Sequence, residues 1–168
     1  MRCLFFAATL AILAGCAGTG RHATRLGQNA NSNQAIVINN DKRDEVVLTA
    51  LALLDTRYKY GGSTPGRGFD CSGFVTYVFQ NASDNALPHN TASIARISRP
   101  IPQNGLRPGD FVFFNTLGQS YSHMGIYIGD GRFINAPSSR SGGRVRIDSL
   151  RDPYYAHRFN DARTQFRL

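Results

Sequence analysis

Residues 69–79 read FDCSGFVTYVF, and the periodicity of this stretch decides how the chain folds around it. Phe74, Val75, Val78 and Phe79 follow Cys71 by three, four, seven and eight residues, the spacing that lines one face of an α-helix. Asp70 is a good N-cap directly before it, because its carboxylate accepts from the unpaired N–H groups of a first turn. The spacing therefore predicts a helix over 71–80 with Cys71 on its buried face. Two roles compete for that thiol. It is one more apolar group in the packing, or it is a nucleophile at the positive end of the helix, where backbone N–H groups and the macrodipole favour a thiolate.

Working outward, Tyr60 to Gly68 holds four glycines and a proline, so it reads as a loop that delivers the chain to Asp70. Asp41 to Asp55 is periodic through Val46, Val47, Ala50, Leu51, Leu53 and Leu54 and predicts a helix opening the globular domain. Downstream, His89 to Ile97 is a further helix candidate. Arg107-Pro108-Gly109-Asp110 turns into the apolar strand Phe111-Val112-Phe113-Phe114. Ser122 to Ile128 alternates and returns through Gly129-Asp130-Gly131 into Arg132 to Ala136, a hairpin. A loop at 137–143 and a strand at Val145 to Ile147 follow. Helices come first and strands later, which favours an α+β fold with N-terminal helices packed on a small antiparallel sheet. There are no internal repeats.

The 168 residues suit one domain with a real core. The chain opens MRCLFFAATLAILAGC: Arg2, an apolar run too short to cross a bilayer, then small residues, the pattern of a secretory signal over 1–15. Leu13-Ala14-Gly15-Cys16 resembles the lipobox of bacterial lipoproteins, which makes Cys16 the expected lipid-carrying first residue of the mature chain. Ala17 after it points to the outer membrane, facing the periplasm. Residues 16–41, rich in Asn, Gly, Gln and Ser, read as a tether, and 42–168 as the domain. Of three cysteines, Cys3 leaves with the signal and Cys16 is acylated, so Cys71 has no disulfide partner within the mature chain. A free thiol in an oxidising compartment needs burial or a chemical task.

The net charge of +8 suits an anionic partner such as acidic wall polymer or lipid headgroups. The arginines are scattered and no nucleic-acid motif is present, which argues against DNA or RNA. The mature chain has no paired Cys or His at ligand spacing, so neither a metal nor another cofactor is expected.

A cysteine nucleophile needs a base and a group that orients the base. The four histidines are His22 in the tether, His89 in a polar segment, His157 among C-terminal aromatics, and His123 at the start of a strand beside Gly125. Context favours His123 without excluding His157.

At this point Phe69-Asp70-Cys71-Ser72-Gly73-Phe74-Val75, with Tyr58-Lys59-Tyr60-Gly61-Gly62 upstream and Leu106-Arg107-Pro108-Gly109-Asp110 and Ser122-His123-Met124-Gly125-Ile126-Tyr127-Ile128-Gly129 downstream, resembles the successive motifs of the NlpC/P60 cysteine peptidases. The resemblance spans about residues 42–162. It implies a compact papain-like fold and cleavage of peptidoglycan stem peptides, typically between γ-D-glutamate and a diamino acid such as diaminopimelate. It further implies Cys71 as nucleophile, His123 as general base, and Tyr58, with the Cys71 N–H, as an oxyanion donor. Asp70, Ser72 and Ser122 are the residues expected to contact substrate, and a monomer is the expected state. The chain departs from the family pattern at the third polar position, where Asn135 stands in place of the usual His. An Asn oxygen can accept the imidazole N–H, as in the Cys-His-Asn arrangement of papain-like proteases. The competing reading is a wall-binding or scaffold lipoprotein that kept the fold without catalysis. An acyltransferase on a circularly permuted relative of the fold is disfavoured by the Cys-before-His order.

The hairpin supplies a geometric condition. A two-residue turn at Asp130-Gly131 with regular pairing puts His123 and Asn135 on opposite faces. A three-residue loop Gly129-Asp130-Gly131, with Gly131 left-handed, puts them on one face, and this is the expected arrangement.

Overall fold

The computed structural model describes residues 37–138 and 143–167. The expected signal segment, Cys16, His22 and the tether up to residue 36 lie outside the described residues. No described helix is long and apolar enough to cross a membrane.

Among the described residues, four α-helices and eight strands make an α+β fold: α1 Arg43–Leu51, β1 Ser63–Thr64, β2 Gly68–Phe69, α2 Cys71–Ser83, α3 Thr91–Ile97, β3 Arg99–Ile101, β4 Phe111–Phe114, β5 His123–Gly129, β6 Arg132–Asn135, β7 Arg146–Ser149, α4 Pro153–Ala156 and β8 Phe159–Thr164. Strands β3-β8-β4-β5-β6-β7 form one antiparallel sheet in that order, and β1 with β2 closes a small ribbon before α2. The glycine-rich segment read as a loop thus carries two short strands.

The apolar run of β4 is buried at all four positions because both faces of the sheet are covered. Phe111 and Phe113 join the main core with Phe74, Val78 and Phe79 of α2 and Val46 and Ala50 of α1. Val112 and Phe114 face a second cluster with Phe133 and Tyr155. Phe114 lies 5.0 Å from both the Phe133 and Tyr155 rings, contacts worth about 0.5–1.5 kcal/mol each beyond area burial. Ile38 also belongs to the core at 6% exposure, bridging to Phe166, so packed chain begins ahead of the expected boundary at 42.

The Arg107–Asp110 turn is locked from three directions. Arg43 Nη1 donates to Asp110 Oδ1 at 2.9 Å and to the Pro108 carbonyl at 2.7 Å. Thr164 Oγ1 donates to the same Asp110 oxygen at 2.6 Å. Arg107 N donates to Asp110 Oδ2. Both members of the ion pair are buried, and the Arg43 guanidinium lies over the Phe166 ring. The pair ties α1, the turn into β4 and the C-terminal strand together.

The β5–β6 hairpin corrects the expected loop. Asp130 and Gly131 both have positive φ, 53° and 72°, as a type I′ turn requires, and Gly129 pairs with Arg132 across it. The turn therefore has two residues, not three. The register then shifts between Tyr127 and Gly129, after which Tyr127 pairs with Phe133 and Ile126 with Ile134. Ile128 is the extra residue of a β-bulge, and it restores the pairing that puts His123 and Asn135 on the same face.

Candidate active site

Cys71 is the first residue of α2. Asp70 caps the helix, its Oδ1 accepting from Gly73 N at 2.7 Å. The same carboxylate accepts from Gly61 N at 2.9 Å and Ser72 Oγ at 3.2 Å, and contacts His89 Nε2 at 2.9 Å. Its charge is thereby directed into the loop and cap. The loop lies so close to the first turn that a Cβ on Gly73 would sit 2.0 Å from the Gly62 carbonyl oxygen, so only glycine fits there. His89 itself is exposed.

His123 opens β5 and is buried. Its ring lines the same cleft as the Cys71 thiol, and its Nε2 lies 2.9 Å from Asn135 Oδ1. With Nε2 engaged by Asn135, Nδ1 is the nitrogen left for the thiol. Asn135 is fully buried on β6. Gly125 is opposite it in the register, and a Cβ there would come within 3.1 Å of Asn135 Cβ and 2.7 Å of the Ile134 carbonyl oxygen. The missing side chain leaves room for the diagonal His123–Asn135 contact.

The electrostatics favour an ion pair. Burial pushes the Cys71 thiol up, but the His123 hydrogen bond and charge, with a further contact to Thr91 Oγ1 at 3.6 Å, outweigh it and hold the thiol below its ordinary value. Burial likewise lowers His123, and the bond and charge of Cys71, then Asn135 and Asp148, raise it above the ordinary imidazole value. Tyr58 is raised by burial first and then by the negative charge of Cys71 and Asp70, so its phenol stays neutral and able to donate.

Tyr58, Cys71, His123 and Ser122 line one cleft of about 220 Å³, together with Leu117 and Tyr154. A wider shelf of about 650 Å³ adjoins it on the other side of Cys71, bordered by Asp70, Ser72, His89 and Tyr60. The structure thus gathers Cys71, His123, Asn135 and Tyr58 into one site. The side chains of Asp70 and Ser72 bond within the protein. Ser122 Oγ accepts from Thr116 N at 2.8 Å and Leu117 N at 3.2 Å, which shapes the cleft rim. Among the described residues no group of three or more His, Cys, Asp or Glu side chains could hold a metal ion.

Sequence reasoning missed Asp148, Tyr155 and Thr91. Asp148 Oδ2 accepts from Asn135 Nδ2 at 2.9 Å, and Tyr155, in the four-residue α4, reaches the same oxygen at 3.0 Å. No local pattern marks them, since each acts across a sheet or from a helix too short to show periodicity.

The chain matches the sequence model of the NlpC/P60 family over residues 55–164. The chain belongs to this family. It is 34% identical over 144 residues to the murein DD-endopeptidase MepS/murein LD-carboxypeptidase of Escherichia coli (strain K12), covering 86% of this chain and 74% of that one. It is 40% identical over 119 residues to the gamma-DL-glutamyl hydrolase of Bacillus subtilis (strain 168), covering 70% of this chain but 28% of the relative. Several curated relatives are thus more than twice as long as the segment they share with it. A crystal structure of an NlpC/P60 family protein from Bacillus cereus ATCC 10987 superposes with a TM-score of 0.68 at 27% identity, covering 79% of this chain and 42% of that chain. The α+β architecture is that of NlpC/P60 domains.

Proposed function

We propose that this protein is a cysteine endopeptidase that hydrolyses peptide bonds in peptidoglycan stem peptides through a Cys71-His123-Asn135 acyl-enzyme mechanism. The observation that carries the reading is the cleft shared by Cys71 and His123, with the buried His123 ring held 2.9 Å from Asn135 Oδ1. In this reading the Cys71 thiolate attacks the scissile carbonyl carbon, and the oxyanion receives hydrogen bonds from the Tyr58 hydroxyl and the Cys71 N–H. As the C–N bond breaks, His123 gives its Nδ1 proton to the leaving amine. His123 then takes a proton from water, which attacks the thioester and regenerates the thiol. Asn135 holds the imidazole throughout. Asp70, Ser72 and Ser122 act on substrate by shaping the cleft and shelf, because their polar atoms already have protein partners.

The bond proposed for cleavage is that between γ-D-glutamate and diaminopimelate, as in the sequence reading. A DD-endopeptidase specificity for the peptide cross-link is the second reading, favoured by the E. coli relative's name and by its match along 74% of that protein. Digestion of defined muropeptides followed by mass spectrometry separates them. Release of a free diaminopimelate amino group from an uncross-linked stem supports the first, and cleavage confined to cross-linked dimers supports the second. The non-catalytic reading rested on Asn135, and Asn135 stands where an orienting acceptor is needed.

The anchored state is part of the same proposal: Cys16 carries the lipid and the domain works in the periplasm from the outer membrane. The support is the Leu13-Ala14-Gly15-Cys16 sequence. Labelled palmitate incorporated into the full chain and lost in Cys16→Ala is the expected result.

A further inference from the structure

Three adjacent strands place polar side chains in a diagonal row on one face of the sheet. Asn135 is opposite Arg146 in the β6–β7 register, and Asp148 lies two residues further along β7, so it meets Asn135 diagonally, as His123 does from the other side. We propose that Asp148 is a positioning residue that fixes the Asn135 amide with its oxygen toward His123 and, through that oxygen, fixes which imidazole nitrogen serves Cys71. The inference rests on the catalytic reading above.

The argument is one of donors and acceptors. Asp148 as a carboxylate only accepts. Asn135 Nδ2 donates to its Oδ2 at 2.9 Å and to the Arg146 carbonyl at 3.4 Å, which leaves Oδ1 to accept from His123 Nε2–H. Turning the amide over would set Oδ1 against the Asp148 carboxylate and the carbonyl, oxygen against oxygen, and would bring N–H against N–H at His123. A flipped amide would thus favour the tautomer with Nδ1 protonated, which cannot take the thiol proton.

Asp148 is itself held. Arg146 Nε donates to Oδ2 at 2.8 Å and Oδ1 at 3.1 Å, balancing its charge. The Tyr155 hydroxyl reaches Asp148 Oδ2 at 3.0 Å and Asn135 Oδ1 at 3.3 Å, and its single proton goes to the nearer, charged acceptor. Burial, then the charge of Asp148, raise the Tyr155 phenol, which keeps that proton in place. Around His123 stand Cys71, Asn135 and the Phe114 ring at 6.1 Å, with Tyr155 stacked at 6.5 Å and Asp148 one layer out. An Asn at the third position, unlike a His, has two ends of opposite polarity, and Asp148 removes the choice between them.

The experiment compares the full chain with Asp148→Asn, Asp148→Glu and Tyr155→Phe, measuring kcat and KM on muropeptides and, separately, the rate of Cys71 alkylation by iodoacetamide against pH. Asp148→Asn offers the amide either polarity; kcat should fall about tenfold to a hundredfold, the range for partners that orient a reacting ligand, with KM within twofold. Its alkylation curve should move toward that of a free thiol. Asp148→Glu keeps an acceptor-only group and should recover most of the loss, which a purely structural role does not require. Tyr155→Phe should move both readouts the same way by a smaller factor, and it carries the test if Asp148→Asn does not fold. Alkylation curves and kcat within twofold of the parent in the folded variants overturn the proposal. Because alkylation needs no substrate, a shifted curve without muropeptide cleavage by the parent would support the positioning role while overturning the function proposed for the site.

Discussion

Asn135 shows how much one side chain decides here. Read alone, it is a polar residue in a strand where the family pattern has His. Its burial and its 2.9 Å contact with His123 Nε2 make it the imidazole's acceptor. The thiol held below its ordinary value of 9.0 and the imidazole held above its ordinary value of 6.5 predict a thiolate–imidazolium pair. The sign follows directly. The thiolate is gained as pH rises through the lowered Cys71 value, and the His123 proton is lost as pH rises through the raised His123 value. A bell-shaped kcat/KM profile is expected, with its acid limb below 9.0 and its alkaline limb above 6.5. A single ascending limb near 9.0 would contradict the pairing. Tyr58, kept neutral by burial and by the Cys71 charge, gives a second prediction at this scale. Tyr58→Phe should lower kcat by about 10²–10³ with little change in KM, the usual cost of losing an oxyanion donor. An unchanged kcat in steady-state kinetics would remove Tyr58 from the chemistry.

Among the elements, the β5–β6 hairpin sets the His123–Asn135 geometry. The sequence located it through alternation and the Gly129-Asp130-Gly131 turn, and correctly required His123 and Asn135 on one face. It misread how that is achieved, because a three-residue loop and a two-residue turn with a nearby bulge give the same register at the site. The choice between them lies in backbone angles that composition does not display. Gly129 has φ 101°, a conformation side-chain-bearing residues rarely adopt, next to the bulged Ile128. Gly129→Ala should therefore cost about 1–3 kcal/mol of stability, read from the urea midpoint. A midpoint equal to the parent's would show that the bulge does not depend on this glycine. Helix α2 was legible for the opposite reason: its cap and its apolar spacing are local. β8 was not, since Phe159–Thr164 is largely polar and sits between β3 and β4 through contacts far away in sequence, such as Arg163 Nη1 with the Ala95 and Ser98 carbonyls.

For the whole molecule, the fold class was readable from the order of helices and strands, and the resemblance to NlpC/P60 peptidases agreed with the family match. What the sequence could not convey was the long-range wiring. The Arg107–Asp110 turn looked like a connection into β4, and it is also the point where α1 and the C-terminus are joined through Arg43 and Thr164. Asp110→Ala leaves the Arg43 guanidinium buried without its carboxylate and should cost about 3–5 kcal/mol, seen as a large drop in the thermal midpoint. A drop under about 1 kcal/mol would mean that the turn is not a tie point. The same long-range logic brings Asp148 and Tyr155 behind Asn135, so the site draws on α2, β5, β6, β7 and α4 together. The account's central claim is that this assembly makes Cys71 a peptidase nucleophile. Its most direct test is the digestion of purified peptidoglycan by the protein and by Cys71→Ala, with fragments identified by mass spectrometry. The account predicts new stem-peptide cleavage products with the parent and none with the variant; no new products with the parent, or the same products with both, would contradict it.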